Sequence, residues 1–267
     1  MKVNLFLLIS VFLFSCSSEK EWVFSEKITL PEDVRPLGLT VKGNQLWVSD
    51  PDNNRILLMD NQGTVLDSVI SLARPMHITS NERAVYIPNF TSDSITVLSD
   101  QELKSLVVND SLDAPASVLM MDNTMAIADF YNHRVLLIED GKITQIGSEG
   151  RTDGLLYYPT DVALTEELVV VADAYNNRVQ VFDRKGQFIK VIGWQENIQV
   201  ATGVEVFKDQ ILVTDFYGNR VLIYDFEGNL IKALTDYFNK PTDLIVTENK
   251  MIVANYGENN LTEFHFN

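Results

Sequence analysis

A few residues of this sequence have the right types and spacing to do chemistry. His77, Asp161 and Asp243 each stand two residues after a proline, at Pro75, Pro159 and Pro241. Ser117 holds the same place after Pro115. Glu205 lies four residues after Ala201, which takes the proline's place in its own unit. An imidazole with two or three carboxylates can hold a divalent ion or work as acid and base. The same letters also read as turn chemistry, because Pro-Thr-Asp occurs twice and its Asp can cap the turn. Nucleophilic catalysis has little to draw on. The sole cysteine, Cys16, is near the N-terminus, and no Ser-His-Asp set is placed together.

These positions recur at intervals of about 40 residues, and a fixed interval asks for a repeated element. Three near-copies mark it: ADFYNHRVLLIEDG from 128, ADAYNNRVQVFDRKG from 172 and TDFYGNRVLIYDFEG from 214. With the Asp of each copy as anchor, six units emerge, anchored at Asp50, Asn89, Asp129, Asp173, Asp215 and Asn255. The steps are 39 to 44 residues. Five residues after the anchors stand Arg55, Ser94, Arg134, Arg178, Arg220 and Asn260, so units two and six have lost Asp and Arg together. Paired loss implies that the two residues serve each other. We expect Asp50–Arg55, Asp129–Arg134, Asp173–Arg178 and Asp215–Arg220 to be structural staples between blades. Four copies around a ring cannot all face one substrate. The Asn three after the anchor, at 53, 132 and 176, is expected to take left-handed backbone in a tight hairpin.

Within a unit the short runs VAL, LVVVA, VQVF and FIKVI are separated by turn letters, and no helical period is sustained. Four short strands per unit predict an all-β, six-bladed β-propeller with four-stranded antiparallel blades. Unit six ends after its third strand, and WVFSEKITL at 22–30 has no unit of its own. The N-terminal strand should therefore close the last blade, making residues 22–267 a single domain.

The residues Pro159-Thr160-Asp161-Val162-Ala163, Val171-Ala172-Asp173, Asn176 to Asp183 and Gly186 resemble the NHL-repeat family. The resemblance is strongest in units three to five and implies a six-bladed propeller. Relatives of this architecture include protein-binding modules, lyases and lactonase-like hydrolases, so fold alone does not give function. The amidating lyases hold zinc with three histidines; here His77, His133 and His265 stand at non-equivalent places and are not expected to converge. The lactonase-like enzymes hold calcium with Glu, Asn and Asp in the inner channel, where Glu205, Asp161 and Asp243 leave a calcium ion possible. No cofactor is otherwise expected.

Aromatic residues follow the anchors: Phe90, Phe130, Tyr131, Tyr175, Phe216, Tyr217 and Tyr256. They should circle the channel mouth, either covering blade edges or forming a platform for a peptide or sugar. His77, Ser117, Asp161, Glu205 and Asp243 should stand near that mouth.

The N-terminus bears on location. After Lys2, residues 4–14 form an apolar run too short to span a bilayer but suited to a signal peptide. Leu13-Phe14-Ser15-Cys16 resembles a bacterial lipobox, departing from it in the bulk of Phe14. The resemblance implies a signal peptide over 1–15, a lipidated Cys16 and a tether over 16–21. The expected location is the bacterial envelope, at the outer membrane. Three Asp-Ser-apolar triplets, at 67–69, 93–95 and 110–112, resemble O-glycan acceptors of some envelope bacteria. A net charge of −16 repels phosphate backbones and excludes nucleic acid as a partner. The expected function is a monomeric, membrane-tethered binding or scaffold module for a protein, peptide or glycan. The alternative is a metal-dependent hydrolase or lyase with its ion at the channel mouth.

Overall fold

The computed structural model describes residues 21–60 and 62–267. The expected signal peptide, Cys16 and most of the tether lie outside the described residues.

Among the described residues, twenty-four strands form six four-stranded antiparallel sheets. Blade one holds β2 (Leu39–Lys42), β3 (Gln45–Asp50), β4 (Arg55–Met59) and β5 (Val65–Val69). Blade two holds β6 (Thr79–Ser80), β7 (Val85–Asn89), β8 (Ser94–Ser99) and β9 (Glu102–Ser105). Blade three holds β10 (Pro115–Met121), β11 (Thr124–Asp129), β12 (Arg134–Glu139) and β13 (Lys142–Ile146). Blade four holds β14 (Asp161–Leu164), β15 (Leu168–Asp173), β16 (Arg178–Asp183) and β17 (Phe188–Ile192). Blade five holds β18 (Ala201–Phe207), β19 (Gln210–Asp215), β20 (Arg220–Asp225) and β21 (Leu230–Leu234). Blade six holds β22 (Pro241–Thr247), β23 (Lys250–Asn255), β24 (Asn260–Phe266) and, as its outermost strand, β1 (Trp22–Thr29). The N-terminal strand thus closes the ring, pairing Trp22 with Phe266 and Thr29 with Asn260.

The core is not a single mass. Six apolar clusters lie between successive blades, because each twisted sheet buries one face on each neighbour. Val170, Val181 and Ile192 of blade four meet Val204, Val213 and Tyr224 of blade five. Ile28 of β1 joins Leu46 and Val48 of blade one and Ile252 of blade six, so the seam between last and first blades is packed like the others. Without β1, that interface would lose its outer wall.

The repeated hairpin follows from two neighbouring residues with separate tasks. We expected left-handed backbone at Asn53, Asn132 and Asn176. The structure moves it one residue on, to Asn54, Asp93, His133, Asn177 and Asn219, with φ between 50° and 56°. The preceding Asn instead turns its amide onto the anchor carboxylate, as Asn176 does to Asp173 Oδ2 at 2.8 Å. Among the described residues no helix is long and apolar enough to cross a membrane.

Candidate functional site

The anchor carboxylates are fully buried and fully used. Asp173 Oδ1 accepts the N–H of Tyr157, while Oδ2 accepts from Asn176, from Arg178 Nε at 2.8 Å and from Gln180 Nε2. Arg55, Arg134 and Arg220 make the same 2.8 Å Nε bond to Asp50, Asp129 and Asp215. The outer guanidinium nitrogens reach the loop that enters the same blade: Asp33 for Arg55, Ser111 for Arg134, Thr152 and Leu155 for Arg178, Glu196 for Arg220. Each Arg therefore pins its third strand to the incoming loop, rather than bridging to the strands of the next blade. In blades two and six the anchor is Asn, and a threonine seven residues on takes the Arg's place. Asn89 Nδ2 donates to Thr96, and Asn255 Nδ2 to Thr262. That partner was readable in the sequence, since Thr occupies the position only in those two units.

The residues after the prolines clasp one blade to the next. Thr160 Oγ1 donates to the carbonyl of Ala201, and Asp161 Oδ2 accepts the N–H of Val204 at 2.9 Å. Thr242 Oγ1 donates to Leu37, and Asp243 Oδ2 accepts the N–H of Leu39 at 2.8 Å. Pro-Thr-Asp is thus an inter-blade clasp, where the sequence suggested a cap on its own turn. In blade two the clasp is backbone alone: the N–H of His77 donates to Ala116, and the N–H of Val118 to the His77 carbonyl.

The axial positions alternate. His77, Asp161 and Asp243 come from blades two, four and six; Gly38, Ser117 and Gly203 come from blades one, three and five. The glycines have a steric reason. A Cβ on Gly38 would stand 2.4 Å from the Met76 carbonyl oxygen, and one on Gly203 would stand 2.8 Å from that of Thr242. Small residues on alternate blades let the inner strands close in, and the three long polar side chains meet on the axis. One donor atom from each of His77, Asp161 and Asp243 lies within 4.8 Å of the others. His77 Nδ1 is 3.5 Å from Asp243 Oδ1, beyond a normal hydrogen bond, and has no hydrogen-bond partner. The neighbouring Ser117 Oγ, also buried, has none either.

These groups line one end of an axial cavity of about 200 Å³. The cavity runs past Glu205 toward Val41 and Thr247, at the end of the channel where first and second strands are joined. None of the aromatic turn residues lines it. Burial opposes protonation of His77, but the carboxylates of Asp243 and Asp161 outweigh it and raise the imidazole's pKa. Burial pushes Asp161 up to about 6; His77 opposes this, and Asp243 adds to it. Burial also pushes Glu205 up to about 8, against the N–H of Val206, with Asp161 and Asp243 adding repulsion. Glu205 is half-buried and walled by protein beside two carboxylates, which biases its carboxyl toward the protonated form, able to donate a proton. The cavity therefore offers an imidazole, two carboxylates and a carboxylic acid in one place.

The aromatic residues lie at the opposite end, where second and third strands are joined. They form two groups. Phe90, Phe130, Tyr131 and Tyr175 of blades two to four are joined by Tyr158, whose ring centroid is 4.8 Å from that of Phe130 and 4.9 Å from that of Tyr175. Tyr157 stacks on His133 at 5.0 Å. Sequence reasoning missed Tyr157, Tyr158 and His133 as members, although the Tyr pair directly precedes Pro159. Phe216, Tyr217 and Tyr256 form the second group, and the Tyr256 hydroxyl donates to Asp52 of blade one. The three histidines do not converge: His77 is axial, His133 is on the aromatic face, and His265 pairs with Glu263 on β24. Of the Asp-Ser triplets, Ser68 and Ser111 are exposed and Ser94 is half-buried.

Residues 156–182, spanning the start of blade four to its third strand, match the family model of the NHL repeat. No curated protein matches the chain. Solved structures share the whole fold. A virginiamycin B lyase from Staphylococcus aureus is 14% identical, with a TM-score of 0.67 over 92% of this chain and 99% of that one. A gluconolactonase from Xanthomonas campestris is 15% identical, with a TM-score of 0.74 over 90% of this chain and 89% of that one. A nidogen–laminin complex aligns at 16% identity and a TM-score of 0.65 over 76% of this chain and 80% of that one. The chain is a six-bladed β-propeller with an NHL repeat in its fourth blade.

Proposed function

We propose that this chain is a lipid-anchored propeller of a bacterial envelope that binds a protein, peptide or glycan on the aromatic face of blades two to four. The observation that carries the reading is the unbroken run of rings from Phe90 through Phe130, Tyr131 and Tyr158 to Tyr175. Tyr131 and Tyr175 are 50% and 57% exposed. A ring that only covered a blade edge would bury its face. These rings present flat apolar area and hydroxyl tips together, the composition that serves recognition at low entropic cost. Arg151 lies over the Tyr157 ring at 4.8 Å and adds a cation at the rim. Lipidation at Cys16 rests on the Leu-Phe-Ser-Cys sequence.

A second reading has its own observation. The axial cavity around His77, Asp161, Glu205 and Asp243 has the acid, base and ligand groups of a metal-dependent hydrolase or lyase, and a lyase and a gluconolactonase share the fold.

Site-specific photocross-linking tests the first reading. A cross-linking residue at Tyr131 or Tyr175, introduced in cells, should yield a discrete envelope adduct, while one at Asp122 on the opposite face should not. The same adducts from both faces, or none from the aromatic face, would overturn it.

A further inference from the structure

The inter-blade clasp explains why two carboxylates stand on the axis. It does not explain His77. His77 is 4% exposed, it clasps blade three through its backbone alone, and its Nδ1 has no hydrogen-bond partner, standing 3.5 Å from Asp243 Oδ1. Buried imidazole nitrogens left without a partner are costly, and native proteins rarely keep them for packing. Ser117 Oγ, on the blade bridged to His77, is a second buried group without a partner. No lysine or arginine lines the cavity, so among its lining residues no permanent cation faces the two carboxylates. Buried charge of one sign calls for a counter-charge.

The spacing fits one ion. Two ligands each about 2.1 Å from a tetrahedral metal stand roughly 3.4 Å apart. His77 Nδ1 and Asp243 Oδ1 are 3.5 Å apart. Asp161 completes a set whose donor atoms all lie within 4.8 Å of one another, so rotamer adjustments of at most about 1.4 Å bring all three onto one centre. Asp161 and Asp243 are already aimed, because main-chain N–H groups of Val204, Leu39 and Leu244 hold their oxygens.

We propose that His77, Asp161 and Asp243 bind one divalent cation of the zinc class, with its open coordination position facing the axial cavity. An imidazole nitrogen in the set favours zinc and its neighbours over calcium and magnesium, which take oxygen alone. Three protein ligands with one free position leave room for a water or a small anionic ligand in the adjoining cavity. The three ligands stand at the starts of the innermost strands, in the half of the channel nearer the aromatic turns, while the cavity they face runs away from those turns toward Val41 and Thr247.

The test uses the purified full chain, stripped with a chelator and titrated with zinc, calcium and cobalt(II). The expected result is one zinc per chain, little calcium, and a visible cobalt band of low coordination number. His77→Gln and Asp161→Asn should each weaken zinc binding roughly tenfold or more. Asp161→Asn keeps an oxygen to accept the Val204 N–H, so it should retain the parent circular dichroism and melting temperature. No stoichiometric zinc, a preference for calcium, no cobalt band, or unchanged zinc affinity in a folded Asp161→Asn would each overturn the assignment.

Discussion

At the scale of single residues, the repeated letters divide by what their side chains touch. Arg178 is the most enclosed of the four anchor arginines, its side chain 5% exposed against 22% for Arg55. It also gives the incoming loop two carbonyl bonds, to Thr152 and Leu155. Removing one partner of a buried ion pair strands the other. Asp173 would keep Asn176 and Gln180 as donors, which softens the loss. Arg178→Ala should cost about 3 kcal/mol, a fall in melting temperature of roughly 6–12 °C. Arg55→Ala, nearer to solvent, should cost less. Thermal unfolding of both variants checks this, and equal or negligible losses would show that these pairs do not hold the loops. The pairing itself was readable, because Asp and Arg vanish together at Asn89 and Asn255. The destination of the outer nitrogens was not, since a backbone carbonyl in a loop leaves no letter in the sequence.

At the scale of elements, strand letters and turn letters gave the blades, and one leftover segment gave the closure. WVFSEKITL had no unit and unit six lacked a strand, so the pairing of β1 with β24 followed by counting. Convergence on the axis was harder to read. It depends on Gly38 and Gly203 letting neighbouring strands approach, and a glycine in a strand does not announce what it admits. The aromatic face was read in part. Residues after the anchors were counted, but Tyr157 and Tyr158 precede a proline, and only the curvature of the ring brings them to Phe130. Closure itself can be tested at one residue. Trp22 is 3% exposed, packs on Phe207 and Phe266, and donates its indole N–H to Gln210. Trp22→Ala should cost about 3–5 kcal/mol. Because β1 is held chiefly by β24, amide exchange should quicken in β1 and β24 well before blade three. A uniform increase around the ring would mean that the closing strand and the blades melt as one unit.

For the whole molecule, the direction of β1 orients everything else. Antiparallel pairing with β24 puts Thr29 beside Asn260, at the end that carries the aromatic turns, and Trp22 beside Phe266, at the other end. Phe266 donates its N–H to Asn249, and the Trp22 ring lies against Phe207, both at turns between first and second strands. A chain entering at Trp22 therefore arrives at the face opposite the tyrosines. Six Cα steps separate Cys16 from Trp22 and span at most about 20 Å. Lipid on Cys16 would hold the Trp22 end against the bilayer and turn Tyr131 and Tyr175 away from it, while the axial cavity would lie toward the membrane side. The net charge of −16 adds repulsion from anionic head groups, so the tether rather than surface attraction would set this pose. In vesicles bearing the lipidated chain, a dye on Asp209→Cys, beside the Trp22 end, should be strongly quenched by nitroxide-labelled head groups. A dye on Ser92→Cys, in an aromatic-face turn, should be quenched far less. Equal quenching would mean that the ring tumbles freely on its tether. The reverse order would place the binding face on the membrane and make a lipid, rather than a free envelope component, the ligand that the tyrosines meet first.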